Sequence, residues 1–298
     1  MFTEARVPVG GDSRVELFTA QTAGPDDRAL LVIHGGPDWD HSYLRDPLCR
    51  LAGEHRVVMA DMRGCGRSTS GLPPGAYTPD NAVGDFAALL DALGLVYVDV
   101  LGFSYGGLIA QRLALAHPGR VRRLIVASSS VLPVPGGAFD GWAERDSRRA
   151  EGVAAMAAME ADPPLPGPEL TRAWAVAFAA ADVWRRERLP GYLQRLAQMR
   201  FTASWLEPWR SGTLPPARPP DAAAGLAGLG LPILLLHGSQ DMTFPASLAR
   251  AAQEIIPSAQ AVVLADAGHM AHVDEPELWL AAIRDFLRTG RPPDPPET

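Results

Sequence analysis

Ser104 stands at the centre of G-F-S-Y-G, residues 102–106, with an apolar run from Val96 to Leu101 before it and helically spaced residues from Leu108 to His117 after it. That pattern predicts a strand, a sharp turn and a helix, a setting that lifts a serine hydroxyl above the end of a sheet. A serine attacks a carbonyl when a base removes its proton and an acid holds that base in the right tautomer. The chain offers one candidate for each at a predicted strand end: Asp241, after the run closing at His237, and His269, in the loop after 260–264. The chemistry such a set would perform is acyl transfer.

A side chain two places before or after Ser104 would strike the neighbouring backbone, so Gly102 and Gly106 are the residues that so tight a turn requires. The oxyanion formed on attack needs preorganised N–H donors. Tyr105, directly after the nucleophile, offers one, and the H-G-G-P turn at 34–37 offers the second, from Gly36 with Gly35 as the fallback. Gly35, Phe103, Trp174 and Phe178 are the candidates to touch substrate. His272, three residues past His269, is the rival base. His34 and His237 precede glycines at strand ends and read as buried turn residues; His41, His55 and His117 read as surface or loop positions. The position after the run Val121–Ala127 holds Ser128-Ser129-Ser130, so Asp241 has no rival acid there.

The elements that must hold these residues alternate. A hairpin is predicted over 4–9 and 14–20 around G-G-D-S, and strands over 28–33, 56–60, 96–101, 121–127, 231–237 and 260–264. Helices are predicted over 42–52, 79–93, 246–256 and from Asp274, where D-E-P-E has the spacing of a capping box. Continuous apolar strands interleaved with helices imply an α/β class with a doubly wound, mostly parallel sheet. From 133 to 230 the texture changes to Ala- and Arg-rich sequence with five tryptophans and no strand signal. The expected organisation is therefore a core of 1–132 and 231–298 with an inserted helical cap, 133–230, having helices near 139–160, 169–185 and 188–204. The tail R-P-P-D-P-P-E-T is expected to be disordered.

Composition narrows the chemistry further. The 298 residues carry a net charge of −7, which offers no broad electrostatic footprint for nucleic acid or an anionic membrane. All 27 basic residues are Arg, so Schiff-base, P-loop and Ser-Lys chemistry are excluded. Cys49 and Cys65 make neither a disulfide framework nor a metal-ligand spacing, and no cofactor motif is present. The first residues lack a signal-peptide pattern, and no apolar run reaches membrane-spanning length. A small-molecule substrate, no metal or cofactor and a cytoplasmic location are expected; self-association is left open.

With these residues in view, the chain resembles the α/β-hydrolase superfamily over nearly its whole length, and the order Ser104, Asp241, His269 is that of its triads. H-G-G-P at 34–37 and D-x-R-G-C-G-R-S at 61–68 resemble the proline iminopeptidase branch. That branch usually has Gly where Asp38 stands and G-G-S-W-G at the elbow. It also carries A-W-x-x-W-E in the cap, whose glutamate helps hold the substrate's free amino terminus. Here the motif reads Ala173 to Phe178, with Phe178 in the glutamate's place. The resemblance thus implies a serine hydrolase, and Phe178 points to a small, largely apolar ester, lactone or amide. The alternatives are a proline iminopeptidase, an enzyme reusing the fold for acyl transfer, C–C cleavage or cyclisation, or a hydrolase-derived ligand-binding protein.

Overall fold

The computed structural model describes residues 1–10, 14–159 and 165–290. The G-G-D-S turn, the last residue of the expected helix 139–160 and the C-terminal tail lie wholly or partly outside them. Eight strands form one sheet in the order β1-β2-β4-β3-β5-β6-β7-β8. They are β1 (Thr3–Val9), β2 (Val15–Gln21), β3 (Ala29–Ile33), β4 (Arg56–Ala60), β5 (Val98–Phe103), β6 (Val121–Ala127), β7 (Ile233–Gly238) and β8 (Ala259–Leu264). β1 and β2 pair antiparallel, as do β2 and β4, and the remaining pairs are parallel.

The continuous apolar strands have cores on both faces because successive side chains point to opposite sides. Leu31, Ile33, Val58, Val98 and Val100 face one cluster, while Leu30, Val32, Val57, Leu101 and Phe103 face the other. β5 lies two residues later than its apolar run suggested. Val96 and Tyr97 are exposed, whereas Gly102 and Phe103 complete the strand.

The expected helix over 42–52 is broken. A 3-10 turn, His41–Leu44, leads into α1 (Arg45–Leu48), and Asp46 leaves the helical region at φ −105, ψ 122 because Pro47 follows it. α2 (Pro79–Ala92) starts at Thr78, whose side chain caps Asn81 N–H, and α3 (Tyr105–Ala116) follows the elbow.

Between β6 and β7 the described residues contain helices and no strand: α4 (Ala143–Ala158), α5 (Gly167–Ala177), α6 (Ala179–Asp182), α7 (Leu189–Gln198), α8 (Leu206–Arg210) and α9 (Ala222–Leu229). The predicted helix 169–185 is two pieces broken at Phe178. Buried Arg148 of α4 donates to the carbonyls of Ala180, Val183 and Trp184, satisfying acceptors that the end of α6 leaves open. α9 belongs with the core despite its place before residue 230. Leu226 joins the cluster under α3, and Leu115 lies close against Gly225.

α10 (Ser247–Ile255), α11 (Ala271–Asp274) and α12 (Pro276–Thr289) complete the chain. The expected capping box at Asp274 is absent, since the residue before α12 is Glu275 and makes no side-chain cap. The fully buried Asp274 carboxylate instead accepts backbone N–H groups of Gly268, Trp184 and Arg185 at 2.8, 2.9 and 2.9 Å. It ties the loop before α11 to the helical segment.

Candidate active site

The elbow after β5 puts Ser104 at φ 53, ψ −120, a strained conformation for a residue with a side chain. The glycines around it permit that turn. A Cβ on Gly106 would lie 2.2 Å from Ile33 O, and one on Gly102 would lie 2.4 Å from Gly106 O. Ser104 is half-buried, and its Oγ lies 3.0 Å from His269 Nε2. His269 Nδ1 lies 3.0 Å from Asp241 Oδ2, while Asp241 Oδ1 accepts the N–H groups of Thr243 and Phe244 at 2.8 and 2.9 Å. Three residues 28 to 165 positions apart in the chain thus meet in one hydrogen-bonded line at the carboxyl end of the sheet.

Burial alone would raise the Asp241 carboxyl, but His269 and the loop N–H donors overcome it and hold the group below the usual carboxylate range. Burial likewise works to lower His269, and the charge and hydrogen bond of Asp241 reverse the sign, so the imidazole ends above its ordinary value. Such a base can take the serine proton and hold it as imidazolium. The rival His272 is fully buried among Tyr43, Phe103 and Trp279, and burial drives it well below the ordinary imidazole range. It is packing.

The H-G-G-P turn separates the two glycine donors. Gly35 N–H donates to Tyr43 Oη at 2.9 Å, which removes it as an oxyanion donor, and its close approach to Ser104 Cβ leaves no room for a side chain. Gly36, at φ 60 and half-exposed, directs its N–H into no bond among the described residues, nor does Tyr105. Gly35 is therefore withdrawn as the fallback oxyanion donor. Phe103 is withdrawn as a substrate contact, because it is fully buried with its ring 5.5 Å from that of His269 and supports the imidazole from the protein side.

Trp174 and Phe178 stack at 5.1 Å with planes 7° apart and line a cavity of about 300 Å³ between the helical segment and the loops carrying Trp39, Met242 and Thr243. Its lining includes Met242 and Thr243, directly after Asp241, but none of Ser104, Asp241 and His269, and a larger cavity of about 370 Å³ around His41 and Arg45 includes none of them either. Sequence reasoning missed Asp182, the last residue of α6, which lines the first cavity. Burial raises its carboxyl to about 6; the Asp241 charge adds to the rise, and His269 and Arg149 oppose it. Nothing in A-A-A-D distinguishes this acid from a solvated one.

Asp38, which stands where the resembling branch has glycine, adopts φ 73, the left-handed backbone that explains the usual glycine. Its carboxylate accepts Trp205 N–H and Thr202 Oγ1 at 3.0 Å each and so fixes the helical segment beside the oxyanion turn. Two expectations about histidines need correction. His41 is buried, with Nδ1 2.6 Å from Asp61 Oδ1, and His55 is buried as well; both are structural. Arg63 braces its loop through a two-pronged pair with Asp85 at 2.6 Å on both arms.

The model of the α/β hydrolase fold family matches residues 28–276. The chain belongs to that family. A proline iminopeptidase of Levilactobacillus brevis is 29% identical over 274 residues, 87% of each chain. A 2-hydroxymuconate semialdehyde hydrolase of a Pseudomonas species is 30% identical over 269 residues, 87% of this chain and 86% of the other. Among solved structures, a thermophilic esterase from Thermogutta terrifontis has a TM-score of 0.71 at 26% identity, covering 97% of this chain and 99% of its own. A proline iminopeptidase-related protein from Thermus thermophilus has a TM-score of 0.70 at 26% identity, covering 97% and 98%. The chain is thus a hydrolase of the α/β-hydrolase fold family, similar alike to a proline iminopeptidase, a 2-hydroxymuconate semialdehyde hydrolase and an esterase. No helix among the described residues of this α/β-hydrolase is long and apolar enough to cross a membrane.

Proposed function

We propose that this α/β-hydrolase is a cofactor-independent serine hydrolase that cleaves a small, largely apolar ester, lactone or amide through an acyl-enzyme on Ser104. The observation that carries the reading is the line Ser104 Oγ, His269 Nε2, His269 Nδ1, Asp241 Oδ2, with 3.0 Å at both hydrogen bonds. Ser104 attacks the carbonyl carbon as His269 takes its proton. Gly36 and Tyr105 N–H groups hold the oxyanion. The imidazolium, oriented by Asp241, then gives its proton to the leaving oxygen or nitrogen, and water repeats the cycle to release the acid. The apolar faces of Trp174 and Phe178, in a helical segment serving as cap, favour an uncharged acyl group.

The test is turnover of short p-nitrophenyl esters together with fluorophosphonate labelling. Ser104→Ala is expected to abolish both while the fold stays intact. Full turnover by that variant would overturn the assignment.

A second reading has its own observation. Asp182, at about 6, places a carboxylate in the aromatic-walled cavity that Phe178 alone would leave apolar. A substrate bearing a protonated amine would meet a counter-charge and two ring faces there. Proline p-nitroanilide against p-nitrophenyl butyrate discriminates the readings. Selective anilide cleavage, lost in Asp182→Asn while ester cleavage persists, would establish the iminopeptidase reading; ester preference in both proteins supports the first.

A further inference from the structure

His237 ends the apolar run of β7, four residues before Asp241, with none of its surface exposed. Neither ring nitrogen has a hydrogen-bond partner among the described residues. A buried orphan imidazole is costly, and such groups usually have a partner or a task. Its Nε2 lies 3.9 Å from Asp241 Oδ2, the same oxygen that faces His269 Nδ1 at 3.0 Å. Oδ1 is already occupied by two backbone N–H groups, so the open acceptor direction of this carboxylate is on Oδ2.

We propose that His237 is a positioning residue for the triad: in its Nε2–H tautomer it donates toward Asp241 Oδ2, closing the 3.9 Å separation by a small shift, and thereby sets how strongly Asp241 holds His269. The proposal rests on the serine-hydrolase reading above. Burial keeps His237 neutral by bringing it down to about 4, so it has one N–H to donate and carries no charge that would repel the imidazolium. Its donor competes with His269 for one oxygen. Removing it leaves Asp241 a stronger partner for His269, and the base becomes harder to deprotonate.

The charged and titratable groups around this pair come from three sides. Asp241 faces both imidazoles from the loop after β7, Asp182 faces His269 from α6 with Arg149 acting on it, and His272 lies on His269's own turn with Arg195 beyond it. A change at 237 leaves all of these residues in place and acts on them through Asp241.

The experiment has two arms. In the first, long-range ¹H–¹⁵N spectra of the unaltered protein assign the His237 tautomer. Nε2–H is expected, and Nδ1–H would overturn the proposal without any variant having to fold. In the second, His237→Phe keeps an aromatic ring but removes the donor, while His237→Gln restores an Nε2 donor. Expected for Phe is a fall in kcat of about tenfold, the low end for a hydrogen bond to a charged group, with KM little changed. The acid limb of kcat/KM should move up by roughly half a pH unit, with Gln returning toward the parent. An unmoved limb and full kcat in Phe, or Gln behaving as Phe does, would overturn the proposal. Ser104→Ala is run in parallel: if it stays active, the triad reading itself fails, whereas an inactive Ser104→Ala beside an unaffected His237→Phe defeats only the role of His237.

Discussion

Replacing Tyr43 by Phe removes one oxygen and tests how the oxyanion turn is held. The ring is fixed independently of that oxygen, by Trp39, Phe103 and His272 at centroid distances of 5.6, 5.8 and 5.7 Å. What disappears is the acceptor for Gly35 N–H at 2.9 Å, in a place that water does not reach. A buried donor left without a partner costs about 1–3 kcal/mol. That cost can appear in two places. If the peptide between His34 and Gly35 stayed put, all of it would be lost stability; but residues 35 and 36 are both glycine, so the turn can rotate to find another acceptor. Rotation would turn Gly36 N–H away from the oxyanion.

Complete loss of one oxyanion donor lowers kcat by about 10²–10³-fold, so partial misdirection in Tyr43→Phe is expected to lower it by roughly tenfold. KM should stay within about twofold, because the donor engages the transition state more than the bound substrate. Steady-state kinetics on a p-nitrophenyl ester, paired with urea unfolding, separates the two outcomes. Full kcat in a variant destabilised by about 1–3 kcal/mol would refute the reasoning, since Tyr43 would then serve the fold and leave the donor unaffected.

Asp182→Asn is expected to move the acid limb of kcat/KM to lower pH: the ionised carboxylate favours His269 as imidazolium, and its removal lets the base stay neutral in more acid solution. The same variant should be more stable than the parent near neutrality. A carboxyl raised from 3.8 to about 6 binds its proton more tightly in the folded state, so parent stability falls as pH rises through that window, which urea midpoints at pH 4 and 7 will show. Asp274→Asn loses one of the oxygens that together accept three backbone N–H groups and sets an amide donor against a donor. A loss of about 2–3 kcal/mol is expected in urea unfolding. Gly106→Ala places a methyl 2.2 Å from Ile33 O and 2.3 Å from His34 O, both backbone, and should fail to give soluble protein or lose activity altogether; an active, stable variant would show that the elbow can relax.

The sheet and the meeting of Ser104, Asp241 and His269 were legible because they rest on local signals: continuous apolar runs mark the strands, and residues directly behind strand ends must share one edge. The two-residue slip of β5 shows the limit of that signal, since Val96 and Tyr97 are apolar yet exposed. Asp274 shows a deeper limit. Its D-x-x-E spacing suits a helix start, but three N–H groups brought together by tertiary folding compete for the same carboxylate and win it. Asp182, Tyr43 and His237 carry no local mark at all. An acid at a helix end, a tyrosine in a loop and a histidine before a glycine acquire roles only from what the remainder of the chain sets beside them. Gly35 and Gly36 were inseparable in sequence for the same reason, and one hydroxyl from eight residues away divides them.

The Asp274 carboxylate joins the turn that presents His269 to residues 184 and 185, and Met270 N–H donates to Asp182 O in the same seam. Gly268 is without a side chain where Asp182 O and Trp184 N come within 2.7 and 2.9 Å of its would-be Cβ. The part of the chain that shapes the cavity is therefore also a support for the base. The cavity wall and His269 are not separable modules in this protein: exchanging its helical segment for a relative's would loosen His269 unless residues 182–185 were carried across unchanged.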